Sequence, residues 1–143
     1  MVRLVACLLV LLTGCAAGGP SAPADPVTDC GATHERVGWI GALETRQHRV
    51  EGVVEIVDDC TIEVTGFGFD GAGLDVRFVV ADNPDFTDYV VLTDDLRRAG
   101  GYDGETLTLP LTTEVDLDTV SHASVWCVPA GVDFGSAELG PSS

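Results

Sequence analysis

The groups in this chain with chemistry to offer are five cysteines, three histidines and 23 carboxylates. Haem is testable against them, because its usual axial ligands are His, Met and Cys and covalent attachment needs Cys-x-x-Cys-His. That attachment spacing is absent, and the one methionine is Met1. His122 and Cys127 lie an odd number of positions apart, so a regular strand points them to opposite faces and they do not share an iron. A cysteine-only haem site stays open, and no cofactor is required by the residues. Gly66-Phe67-Gly68-Phe69-Asp70-Gly71 spells G-x-G-x-x-G, yet a dinucleotide site needs a helix after the glycines. Residues 75–81 are strand-like instead, and Asp70 repels phosphate. Asp82, Asn83, Asp85 and Asp88, or Asp70 with Asp75, could offer oxygens to calcium, but neither set has EF-hand spacing, and these residue types favour turns. No metal site is expected. Ser121, Ser124 and Ser136 lack a nucleophile-elbow context. His34 and His48 read as exposed residues at strand ends, Trp39 and Trp126 as sheet or core aromatics, and no catalytic constellation emerges.

Where the chain works is legible at its start. Arg3 precedes an apolar run over residues 4–12 that ends in Leu12-Thr13-Gly14-Cys15, a tetrapeptide that resembles the lipobox of bacterial lipoproteins. The expected organisation is a signal peptide over residues 1–14, a lipid-bearing Cys15 followed by a linker to residue 30, and a domain over 31–143. Cys15 is then a membrane anchor and Cys7 leaves with the signal. Cleavage near Ala22-Pro23-Ala24 is the competing reading. A transmembrane helix fits worst, since a span needs about 20 apolar residues and polar ones begin at Thr13.

The charge excludes some partners. All seven basic residues are Arg, and the formal net charge is -16. Such a surface repels phosphate backbones and anionic headgroups, which argues against nucleic acid and leaves membrane attachment to the lipid. Solubility is the plainest account of the acidity.

The linker carries Gly18, Gly19, Pro20, Pro23 and Pro26, and extended as polyproline II it reaches roughly 40 Å. Beyond it the pattern is strands. Val50, Val54 and Ile56 alternate with Arg49, Glu51 and Glu55, and Cys60, Ile62 and Val64 alternate with Thr61 and Glu63. The apolar parity then switches to Phe67 and Phe69, as a β-bulge at Gly66 would make it do. Val76, Phe78 and Val80 share one face of the next strand. Further strands are expected at 39–43, 89–92, 106–111, 121–128 and 132–139, and residues 93–100 have helical character, with Arg97 and Arg98 near its C-terminal end. About eight short antiparallel strands with at most one short helix indicate an all-β domain, a β-sandwich or closed barrel.

Strand parity turns Cys60 inward with Ile62 and Val64, and Cys127 inward with Ala123 and Val125. Secretion permits a disulfide. Three thiols allow three pairings, among which sequence alone cannot choose; the favoured one is Cys60 with Cys127, stabilising by roughly 4 kcal/mol. It leaves Cys30 free.

The segments His48-Arg49-Val50-Glu51-Gly52, Asp59-Cys60-Thr61-Ile62-Glu63-Val64, residues 66–76, Leu107-Thr108-Leu109-Pro110, Val125-Trp126-Cys127 and Val132-Asp133-Phe134-Gly135 together resemble the DM-thirteen domain, a Skeletor-type extracellular module, over roughly residues 36–139. The resemblance implies cell-surface electron transfer. It implies a redox thiol or a prosthetic-group ligand at Cys127, which matches the family's recurrent cysteine. It also implies cytochrome partners, whereas the expectation here is one module alone on a lipid tether. The expectation is a lipid-anchored, extracytoplasmic redox accessory of the cell membrane, not an enzyme on its own; the alternative is a non-catalytic binding or scaffold module that meets an envelope protein.

Overall fold

A computed structural model describes residues 22–143 of the chain. Cys7 and Cys15, with the expected signal peptide and anchor, lie outside the described residues. No described helix is long and apolar enough to cross a membrane.

The strands are β1 (Trp39–Ala42), β2 (Glu44–Thr45), β3 (Val50–Asp58), β4 (Thr61–Phe69), β5 (Val76–Ala81), β6 (Tyr89–Val91), β7 (Tyr102–Pro110), β8 (His122–Cys127), β9 (Val132–Glu138) and β10 (Gly140–Pro141). They form two five-stranded antiparallel sheets, ordered β10-β1-β3-β4-β7 and β2-β9-β8-β5-β6. The sheets face each other as an open sandwich and do not close into a barrel. Inward residues of both sheets fill the space between, among them Val54, Ile56, Ile62, Val64, Phe67, Phe69, Phe78 and Val125, all with no exposed surface. Alternation produces this core, because period two sends every second side chain to one face.

The parity switch in β4 has a structural cause. Glu51 pairs with Gly68 and Val53 with Thr65, so Gly66 and Phe67 together oppose Gly52. Two residues against one is a bulge, and Gly66 takes its positive φ of 63°. Phe67 and Phe69 therefore return to the core side.

Residues 93–100 are not a helix, and the only helical turn among the described residues is a 3-10 turn at Leu117–Thr119. Thr93 and Asp95 explain why. Thr93 Oγ1 accepts from Phe78 N–H at 2.9 Å, and Asp95 Oδ1 accepts from Val76 N–H at 3.0 Å. Leu92 and Leu96 N–H groups donate to Phe78 and Val76 carbonyls. Side chains here stand in for the strand carbonyls that β6 is too short to offer, so the segment runs along β5. Arg97 and Arg98 cap nothing: Arg97 pairs with Asp95, and Arg98 lies 3.7 Å over the Tyr102 ring while pairing with Glu105.

The described part of the expected linker is docked. Val27 N–H donates to Leu111 O at 2.8 Å, and Thr113 N–H to Asp25 O at 2.9 Å. Backbone bonding to the end of β7 holds a Pro-containing segment that has no apolar period of its own.

Candidate functional site

Cys60 is inward and buried as its parity requires, but its bond is to Cys30, not Cys127. The pairing expected from sequence is thus corrected, and the reason is height along the strand. Cys60 sits in the β3–β4 turn, beside the end of β7, where Leu111 N–H donates to its carbonyl. Cys127 ends β8 opposite Val76, just after the loop that leaves the far end of β4. A nine-residue strand separates the two positions, about 30 Å at the usual rise. A disulfide needs α-carbons within about 7 Å, and Cys30 to Cys60 meets this at 5.2 Å. Asp59 fixes the partner segment: its carboxylate accepts from Thr33 N–H, Thr33 Oγ1–H and His34 N–H. Those bonds, led by the His34 N–H and the Thr33 hydroxyl, hold the Asp59 carboxyl below its usual range.

Cys127 is left as the free thiol among the described residues, 3% exposed. Its neighbours across the sheet are Val76 and Val132. The thiol donates to Leu74 O at 3.1 Å. Residues 70–75 thus form a cover over the sulfur, and this cover is built from short-range polar contacts. Asp70 accepts from Ala72 N–H at 2.9 Å and from His48 Nδ1 at 2.7 Å, and the His48 ring rests 4.1 Å from that of Phe134. Partial burial opposes the charge on Asp70, but the Ala72 N–H and His48 outweigh it, and the carboxyl is lowered. Asp75, at a φ of +46°, accepts from Arg77 Nε at 2.8 Å, and its carbonyl accepts from Val128 N–H. The Leu74 side chain is turned outward, 64% exposed. Arg97 stands near: its proton is held more firmly, chiefly by the Asp95 hydrogen bond, with contributions from Asp75 and Cys127.

The remaining candidates are dispersed. His34 meets Asp118 at 3.2 Å, and His122 meets Ser121 Oγ at 2.9 Å. His122 stands in a polar cleft with Asp133, Ser136 and Glu138. Asp133 accepts from both Ser124 and Ser136 hydroxyls, one on each carboxylate oxygen, and so ties β8 to β9. Trp126 packs between Phe86 and Tyr89, at 5.4 and 5.8 Å, on the outer face of its sheet. Among the described residues no three His, Cys, Asp or Glu side chains converge on a metal position. Sequence reasoning passed over Leu74, whose role is a main-chain carbonyl that no residue type announces.

An antiparallel sandwich with one disulfide at one end and one covered thiol at the other defines a small β module. Residues 42–139 match the family described as Electron transfer DM13, and the chain belongs to that family. A similar protein is the Cytochrome b561, DM13 and DOMON domain-containing protein of Arabidopsis thaliana, 26% identical over 114 residues. That stretch is 78% of this chain and 12% of the plant protein, so the chain spans a small part of its relative. No solved structure matches.

Proposed function

We propose that the chain is an extracytoplasmic redox accessory, anchored by lipid at Cys15 to the cell membrane, whose working group is the Cys127 thiol. One observation carries it: in a family described by electron transfer, the Cys30–Cys60 bond leaves Cys127 unpaired. The disulfide also supports an oxidising compartment, as found outside the cytoplasm. Loss of the proton gives the thiolate, which attacks one sulfur of a disulfide in an envelope protein. A new intermolecular S–S bond forms, and the partner's other sulfur leaves as thiolate and takes up a proton. Haem does not fit this sulfur. It is enclosed by apolar neighbours and capped by the Leu74 carbonyl, and the described histidines are engaged with Asp118, Asp70 and Ser121.

Burial of the same thiol favours the second reading, a non-catalytic binding module. The two separate by reaction with oxidised glutathione, followed by peptide mapping. The redox reading expects an adduct on Cys127 with Cys30–Cys60 intact, forming faster than global unfolding because only residues 70–75 need open. Reaction no faster than global unfolding assigns the chain to the binding class. The anchor is tested by palmitate labelling, which Cys15→Ser should abolish.

A further inference from the structure

The flank of the sandwich beside β6 is open. β6 has three residues and ends its sheet, and residues 115–120 cross next to it. Between them lies a cavity of about 470 Å³, within the usual range for small-ligand sites. Val80, Val90, Val115 and Val120 give it apolar walls, and the exposed Asp82 and Asp88 edge it. Asp88 makes no hydrogen bond or ion pair with the described residues, and the Asp82 carboxylate accepts from its neighbour Asn83 while its carbonyl accepts from Ser121 Oγ. Among the described residues no Arg or His lines the space. The guanidinium nearest in bonding terms, Arg36, donates to the Val120 carbonyl at 2.8 Å and is drawn over the Trp39 ring at 4.7 Å. Tyr89 also borders the space, its ring packed against Trp126.

We propose that this cavity binds a small amphipathic organic cation, an ammonium or quaternary ammonium group on a compact apolar body. The valines take the body, and the two carboxylates take the charge, which an anion would find repulsive. This site goes beyond the redox reading and does not depend on Cys127.

The full chain itself provides the readout. Tyr89 lies 5.8 Å from Trp126, one of two tryptophans, so occupancy perturbs indole fluorescence. Cyclohexylmethylammonium, cyclohexanecarboxylate and ammonium ion are titrated separately at constant ionic strength. A saturable response to the first alone is expected, weakened about tenfold in Asp82→Asn/Asp88→Asn and abolished in Val90→Phe. Should Val90→Phe fail to fold, amide shifts of the unaltered chain localise the probe: changes centred on Val80, Val90 and Val120 support the site, and changes elsewhere overturn it. Equal response to the carboxylate, no saturable response, or indifference to the aspartate changes also overturns it.

Discussion

Replacing Cys30 by Ser isolates the worth of the disulfide, because Cys30 is exposed and its loss opens no cavity, whereas Cys60 is buried. The bond closes a loop between residues 30 positions apart. Chain-entropy arithmetic for such a loop gives about 3.6 kcal/mol of stabilisation, exerted on the unfolded state. For a domain of this size that corresponds to a fall in Tm of about 15 °C. The native fold persists in the variant, since Asp59 still binds Thr33 and His34 and Val27 still binds Leu111. Calorimetric melts of the wild type and Cys30→Ser, with non-reducing peptide maps of both, measure the effect. A Tm change under about 4 °C would refute the entropic account. A map joining Cys60 to Cys127 in the wild type would refute the geometry itself.

Asp95→Ala should cost about 2 kcal/mol by urea unfolding, because it strips the acceptor from the Val76 N–H inside the sheet. The same carboxyl shapes the acid limb. Burial pulls its pKa up, but hydrogen bonds from Arg97 and the Val76 N–H outweigh that and lower it. A depressed folded value means stability that is fully present above the unfolded value, about 4, and lost as pH falls through the lower folded value. Asp59 and Asp70 are lowered too, so Tm should drop steeply below about pH 4, and Asp95→Asn should make that drop shallower; an unchanged slope would contradict the assignment. Gly101→Ala should cost about 3 kcal/mol, for at a φ of +64° its new Cβ meets the Phe69 and Asp70 carbonyls. Gly100→Ala, with positive φ and open space, is the control and should cost about 1 kcal/mol in the same melts.

Which face a residue takes was readable in the sequence; how far along the strand it sits was not. Val50, Val54, Ile56, Ile62 and Val64 are all buried as alternation requires, and the parity switch located the bulge at Gly66 before any register was known. Cys60 and Cys127 are likewise both inward, yet alternation carries no information about height, and their pairing failed on that coordinate alone. Leu92 and Leu96, four apart among charged residues, imitate a helical period at 93–100. Two side-chain acceptors on Thr93 and Asp95 decide that segment's path, and their partners on β5 are distant in sequence. The docking of residues 25–27 escaped for the same reason, since its bonds are main-chain bonds to residues 111–113. Sandwich rather than barrel follows from edges that stay unpaired across the flank where β6 and β7 lie.

Placing the two sulfur features at opposite ends of β4 has a chemical consequence. Reduction of Cys30–Cys60 loosens the end that holds the N-terminal segment, while Cys127 remains under residues 70–75, tied by Asp70 to His48 and by Asp75 to Arg77. The free thiol and the bridge are held too far apart to exchange with each other in the folded state, so under the redox reading oxidation at Cys127 involves a sulfur other than these two. Access then depends on local opening of a short cover held by few hydrogen bonds, one of which is the thiol's own bond to Leu74. Under the redox reading, a partner gripping the outward Leu74 side chain would pull on the residue whose carbonyl caps the sulfur, and would thus couple recognition to exposure of the thiol. Leu74→Ser leaves that carbonyl in place and the core untouched. It should therefore preserve Tm and the slow reaction with glutathione, while lowering the rate of mixed-disulfide formation with a protein partner; equal losses in both reactions would show that Leu74 acts only on the cover.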